Sequence, residues 1–361
     1  MKTIFQVIFQ LSLLLFLGNP TFAQVSNKTL QPINSESLIT EDENVIHKIN
    51  YETDTVLKVI YVIDRSGIEA KQHADSNSIT LGTYQFGTKL DVIDEKEEWY
   101  GVRERITRNF LRDDVLIEST GWEMVYVVKN KTGLINEITL IPSDLNIISN
   151  LTVNEKTEYF ESDEELTEYL KIELIDKQLF DSNLNSSVNF LINDTTEISK
   201  KKGILKLECQ NKTTKFTDRP EEDESYQIYN YIGQFDFLNK YVICGFYYES
   251  FDYSFVDKTT GEITQYFGDF PNISADKKHL ISIYTNPYET TADLELYSIN
   301  ENVIKHVITA SFNKWMPTLE NSNMFWSTDG YLYLTVNHVN AFWKEDGNLN
   351  EGCQYIRIKT L

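Results

Sequence analysis

Gly87-Thr88-Lys89-Leu90-Asp91-Val92-Ile93, followed closely by Trp99-Tyr100-Gly101-Val102-Arg103, is the stretch from which the fold can be read. Leu90 and Val92 fall on one side of an extended chain, Asp91 and Ile93 on the other, the period of two that a strand requires. Upstream lie Tyr61-Val62-Ile63 and Leu81-Gly82-Thr83; downstream lies Gly121-Trp122-Glu123-Met124-Val125-Tyr126-Val127. Gly67, Gly82, Gly87 and Gly121 punctuate these runs as tight turns between short strands do. A small β-barrel over residues 57–128 is expected. Trp99 and Trp122 each offer it a large apolar area, as core or as an exposed platform for a glycan or peptide.

These residues also resemble a bacterial SH3-type (SH3b) domain. The family's Gly-Leu-Asn-Val-Arg is represented here by the divergent Gly67-Ile68-Glu69-Ala70-Lys71, whereas Gly87 to Ile93, Trp99 and Val102-Arg103 follow the pattern better. Gly121-Trp122 comes about twenty residues after Trp99, so one loop is longer than usual, and the resemblance covers roughly a fifth of the chain. It implies an exported, non-enzymatic binding protein of the cell envelope that recognises a cell-wall peptide, a glycan or a protein. The residues implied at the ligand are Trp99 and Trp122, with Tyr100 and Arg103 beside the groove.

The ends and the charge bound the compartment and the partners. Met1-Lys2, the apolar run from Ile4 to Leu17 and Asn19-Pro20-Thr21-Phe22-Ala23 have the form of a cleavable signal peptide (residues 1–23) ending near Ala23. The run is too short for a stable membrane span, and no other stretch is long and apolar enough. A secreted or periplasmic protein follows. Net charge is −22, or −23 once Lys2 leaves with the signal. That sign argues against nucleic acid and anionic membranes and favours a basic protein partner. It also requires any glycan or wall-peptide site to act locally against the net field. Cys209, Cys244 and Cys353 allow at most one bridge, and none lies in a C-x-x-C arrangement.

The fold expected is mainly β: an SH3-like barrel, then a larger antiparallel domain with propeller-like features, and one short helix between. Residues 24–56 read as a polar lead, flexible or forming an edge segment. Residues 129–203 read as a connecting region that includes strand-like Glu137-Ile138-Thr139-Leu140-Ile141. Within it Ser162-Asp163-Glu164-Glu165 has the form of a capping box, with Leu166, Tyr169, Leu170 and Leu174 following at helical spacing. Residues 204–361 are β throughout. Ser327-Thr328-Asp329-Gly330-Tyr331 and, more weakly, Ser274-Ala275-Asp276-Lys277-Lys278 resemble the Ser-Pro-Asp-Gly-Lys turn of β-propellers, and Asp257-Lys258-Thr259-Thr260-Gly261-Glu262 resembles a blade hairpin. Intervals of 38 and 52 residues from Tyr241 to His279 to Tyr331 approach blade length. Three or four blades fit, so earlier residues complete a ring or the domain is a sandwich or an open meander.

Catalytic signatures are not found. His47, His73, His279, His306 and His338 lie in no metal-ligand spacing, and there is no nucleophile elbow or phosphate loop. Glu221-Glu222-Asp223-Glu224 lacks the alternation of a calcium loop and reads as a solvated acidic loop. No cofactor or metal is expected. The dense Phe246-Tyr247-Tyr248-Glu249-Ser250-Phe251-Asp252-Tyr253 run, if a strand, sends rings to both faces of a sheet. Two further classes stay open: an acidic inhibitor or immunity-type protein that captures a basic enzyme, and a hydrolase whose site has no local signature.

Overall fold

The computed structural model describes residues 46–112, 115–221, 223–286, 289–319 and 324–361. The signal peptide, the lead as far as residue 45, and Glu222 of the acidic run lie outside the described residues. The chain is mainly β and divides into two compact units. One holds residues up to Thr139 together with Trp343–Asn350; the other holds Leu140–Phe342 together with Glu351–Leu361. Residues 140–203 are therefore not a free connector but part of the second unit.

The first unit contains β1 (Lys58–Val62), β2 (Ile68–Lys71), β3 (Thr80–Tyr84), β4 (Lys89–Glu95), β5 (Trp99–Arg112), β6 (Val115–Val128) and the short β7 (Thr132–Gly133). They form one antiparallel sheet in the order β3-β2-β6-β5-β4-β1-β7. Leu90, Val92, Val102, Val125 and Val127 point from alternate positions into a common core with Ile68 and Tyr84. The expected barrel does not close, since hydrogen bonding runs as an open path from β3 to β7. β7 has only two residues, too few for the ladder that closure would need. β5 and β6 have fourteen residues each and stay in register from Trp99↔Val128 to Arg112↔Val115. The long segment between Trp99 and Gly121-Trp122 is therefore a continuous β-hairpin. Residues 47–49 of the lead bridge to β6, so this part of the lead is an edge segment.

The second unit begins with β8 (Ile147–Val153), β9 (Lys156–Glu165), β10 (Leu170–Ile175), helix α1 (Lys177–Leu184) and β11 (Ser187–Val188). It continues with the hairpin β12 (Ile204–Glu208) and β13 (Thr213–Thr217), then a meander of β14 (Gln227–Phe235), β15 (Lys240–Tyr247), β16 (Phe251–Asp257) and β17 (Ile263–Phe267). A second meander follows: β18 (Asn272–Ile273), β19 (His279–Asn286), β20 (Thr291–Asn300) and β21 (Val303–Phe312). Last come β22 (Trp315–Pro317), β23 (Met324–Ser327), β24 (Leu332–His338) and β25 (Gln354–Thr360). The chain's first strands are built into its later sheets: β8 pairs with β21 and β10 with β25.

Alternation orders these sheets into a stack. Leu205 and Leu207 of β12 meet Ile243 and Val256 of the first meander. Val242, Cys244 and Phe255, from its other face, meet Leu280 and Ile299 of the second meander. Ile281, Ile283 and Leu294 then meet Leu332, Leu334, Ile356 and Ile358. Sheets that follow one another face to face in chain order are blade-like. The outer face of the last sheet, however, is taken by α1, whose Phe180 lies against Phe325, Tyr333 and Tyr355. Strands covered on both sides are buried over most of their length, as in β15 and β24, polar Lys240, Thr335, Asn337 and His338 included.

Three hairpin motifs are borne out. Gly261 (φ +70°), Lys277 (φ +60°) and Gly330 (φ +82°) take the left-handed positions in the turns at 257–261, 274–278 and 327–330. The helix lies elsewhere than expected. Residues 162–165 belong to β9, and Asp163 is engaged by Asn313 and Lys314. Tyr169 sits at φ +71° and interrupts any helix there. Leu170, Ile172 and Leu174 serve equally well as alternate positions of β10. The helix starts later, where Asp176 accepts from the Leu179 N–H at 2.7 Å. The Glu137–Ile141 stretch is not a strand either: a 3-10 turn covers Ile135–Glu137 and a second begins at Pro142. The aromatic run at 246–253 is a hairpin, with Phe246 and Phe251 paired across it. No helix among the described residues is long and apolar enough to cross a membrane, and the three cysteines are free thiols.

Candidate functional site

The long hairpin of the first unit carries all four residues singled out by sequence, but it distributes them. Cross-strand pairs put Gly101 with Tyr126, Arg103 with Met124 and Arg105 with Trp122 on one face. Tyr100 with Val127, Val102 with Val125 and Glu104 with Glu123 take the other. Gly101 is required by this close approach: a Cβ there would lie 2.7 Å from Met124 Sδ and 2.8 Å from Asp94 Cβ.

Tyr100 is enclosed by ions rather than offered to a ligand. Lys58 and Lys129 stand 4.3 and 4.8 Å from its ring centre, and Glu95 binds both ammonium groups at 2.9 Å. The hydrogen bond from Lys58 to Glu95, and then that to Tyr100, raises the Lys58 pKa. Trp122 and Arg103 do come together, through a third residue. Tyr51 stacks on Trp122 with ring centres 4.4 Å apart, and the Arg103 guanidinium lies 4.1 Å from the Tyr51 ring centre. Asp91 holds Arg103 through Nε at 3.0 Å and Nη2 at 2.7 Å.

Trp99 lies apart from both, half-buried on a groove of about 450 Å³. Ile68, Val128 and Trp99 supply its apolar surface, Ser66, Ser76 and Thr83 its hydroxyls, and Lys71, Lys131 and Glu69 its charge. Gly67 sits at φ +80°, and a Cβ there would come within 2.6 Å of the Tyr84 carbonyl oxygen, so the groove wall depends on glycine. Lys71 donates to Thr80 Oγ1 at 2.7 Å and pairs with Glu69, which is itself well exposed. Lys131 pairs with Asp64 at 3.0 Å. Hydrogen bonds from Ser66, then from Lys131, hold the Asp64 carboxyl down at about 2. The arrangement can grip a ligand with an apolar group beside a carboxylate.

Sequence reasoning missed Tyr51, Lys71 and Lys131 as contributors. Tyr51 is the one aromatic of the 24–56 lead, which is a signal of a kind. The lysines carry none, because only the pairing of β2, β3 and β6 brings them to Trp99.

In the second unit, Asp269, in the link between the two meanders, and Glu295 of β20 are both buried carboxyls near Ser282. Asp269 N–H donates to Ser282 Oγ at 3.0 Å, and that hydroxyl donates to the Asp269 carbonyl at 2.9 Å. Glu295 accepts from Gly268 N–H at 3.2 Å. Burial pushes the Asp269 carboxyl up to about 7 and raises that of Glu295. A carboxyl that titrates near neutrality is of the kind acid–base catalysis uses, but the segment carrying Asp269 runs directly from the core residue Phe267. The histidines are dispersed. His338 is buried and accepts from Asn340 N–H, His279 meets Thr360, and His47 meets His73 edge-on at 5.5 Å. Among the described residues no group of three or more His, Cys, Asp or Glu could hold a metal ion.

No protein-family model matches the chain, no curated protein matches it, and no solved structure matches it. Function has to be argued from the geometry.

Proposed function

We propose that the chain is a non-enzymatic binding protein whose SH3b-like first unit recognises a short carboxylate-bearing peptide in the groove at Trp99. The observation that carries this is the pairing of an indole with the Lys71 and Lys131 ammonium groups on a chain of net charge −22. The two ammonium groups, each already paired with a carboxylate, Glu69 or Asp64, would act on a ligand at contact range, since the net field is screened beyond about 8–10 Å at physiological salt. Cell-wall stem peptides have the right chemistry, small apolar side chains beside carboxylates, and the signal-like start is consistent with export to where they occur.

The test is calorimetric titration of the mature chain, from Gln24, with a soluble stem-peptide fragment. Trp99→Ala should weaken binding at least tenfold, equivalent to about 1.4 kcal/mol or more. Lys131→Gln should weaken it less and flatten its salt dependence. Undiminished affinity in Trp99→Ala, or no binding to the parent chain, rejects the groove as the site.

A second reading, capture of a basic protein, is favoured by the edge strand β9. Its Glu158, Glu161, Glu164 and Glu165 are exposed on a strand paired on one side only. Charge capture would fall steeply with salt, whereas apolar packing at Trp99 would not.

A further inference from the structure

Tyr51 is held in a manner that its own burial does not account for. Residues 46–54 run along β6 as a strap, with Ile49 N–H donating to the Trp122 carbonyl at 3.0 Å and Met124 N–H donating to the His47 carbonyl at 2.9 Å. A turn closed by Asp54 N–H to the Asn50 carbonyl (2.9 Å) and Asn50 N–H to Asp54 Oδ2 (2.8 Å) presents the tyrosine. Its ring is sandwiched between Trp122 and Arg103, yet the residue stays 45% exposed.

The main anchors of the two walls lie outside the strap, although Arg103 Nη1 also donates to the Tyr51 carbonyl at 3.4 Å. The main chain of Trp122 is held opposite Arg105 in the β5–β6 register. Arg103 is fixed by the two-pronged bond to Asp91. Neither the β5–β6 register nor the Asp91 bonds to Arg103 involve the strap. The chemistry of this slot selects the occupant: a guanidinium stacks favourably on the electron-rich face of an aromatic ring, whereas the aliphatic face of a sugar offers it no such partner. The main chain selects further, because the Trp122 carbonyl and Met124 N–H receive an extended segment as an added strand.

We propose that the Trp122–Arg103 slot and the adjoining edge of β6 form a β-addition site for an extended partner segment, and that the strap fills this site in cis. The segment bears an aromatic residue two positions after the one whose N–H reaches the Trp122 carbonyl, the spacing from Ile49 to Tyr51. Strand addition of this kind takes affinity from main-chain bonds and specificity from alternate side-chain pockets. The strap competes by proximity, with an effective concentration in the millimolar range. The site is separate from the groove at Trp99 and stands or falls independently of it.

The experiment uses the full mature chain and a fluorescein-labelled peptide with the sequence of residues 46–54. In Tyr51→Ala the cis ring is gone, and fluorescence anisotropy should show peptide binding at least tenfold tighter than to the parent chain. Adding Trp122→Ala should abolish the gain, a peptide with alanine at the tyrosine position should not bind, and Trp99→Ala should change nothing. Arg103→Lys is a second probe, should Trp122→Ala fail to fold: it keeps the charge but loses the planar stack, and should reverse most of the gain. Equal peptide affinity in the parent and Tyr51→Ala chains, or a gain insensitive to both Trp122→Ala and Arg103→Lys, overturns the proposal.

Discussion

The core face of the β5–β6 hairpin and the β15–β16 pair are both antiparallel, yet they are filled by opposite means. On the first, Arg108 makes two 2.8 Å bonds to Glu123, and Tyr84 donates to Glu104 at 2.8 Å, all four residues buried. On the second, Val242, Cys244, Tyr253 and Phe255 face one neighbouring sheet while Ile243 and Val256 face another, and the buried Lys240 is paired with Asp257 at 2.8 Å only where the two strands end. A sheet covered by sheets on both faces excludes water and can be apolar over most of its length. A long hairpin that outruns its sheet has less apolar cover, and a paired charge can fill the site there because each partner satisfies the other. Such a pair contributes little net stability, while its loss on one side is costly.

That contrast can be broken or sharpened by mutation. Phe255→Ala removes a ring packed 4.8 Å from Phe267 and 5.8 Å from Phe235, centre to centre. It should cost about 3–5 kcal/mol, visible as a lowered denaturant midpoint of the second unit with the first unchanged. Glu123→Ala should cost a similar or slightly smaller amount in the first unit, about 3–5 kcal/mol, because Arg108 is left buried with its carboxylate partner gone. Replacing both as Arg108→Met with Glu123→Leu should recover most of that loss. If the double variant is as unstable as the single one, the hairpin face needs its charges and the comparison fails.

The smallest effect expected is set by pH. The Asp269 carboxyl titrates at about 7 in the folded chain and near 3.9 unfolded. The folded state therefore binds the extra proton between these values. Stability from this group is fully present below about pH 4, is lost as pH rises towards 7, and is level above that. The loss is at most about 4 kcal/mol. Asp269→Asn should be more stable than the parent at pH 8, with the advantage shrinking by pH 5, in chemical denaturation of the second unit. An advantage equal at both pH values would show that the carboxyl ionises normally.

Much of this β architecture is written locally. The alternation of Leu90 and Val92 against Asp91, and of Ile356 and Ile358 against Arg357 and Lys359, appears unchanged in the sheets, with Arg357 bonded outward to Glu173 at 2.8 Å. The turn motifs at 257, 274 and 327 hold because glycine, or a lysine forced left-handed, sits where each turn reverses. Spacing misled at Leu166–Leu174, where leucines repeat at intervals that suit one face of a helix and alternate strand positions alike. There the left-handed Tyr169 and the pairing with β25 decide the outcome. Of the candidate site, Trp99 was legible as a large ring near a glycine turn. Its lysines were not, and Tyr100 proved to be locked between ions.

The sequence by itself determined a β-rich chain, its hairpin turns and its acidic charge, because each of these depends on composition or on neighbours a few residues apart. Only the tertiary structure decided that the first sheet stays open, that β8 and β10 join sheets completed far along the chain, and that Tyr51 covers Trp122. Those outcomes depend on contacts between distant residues, whose free energy comes from burying surfaces together and leaves no mark at any single position.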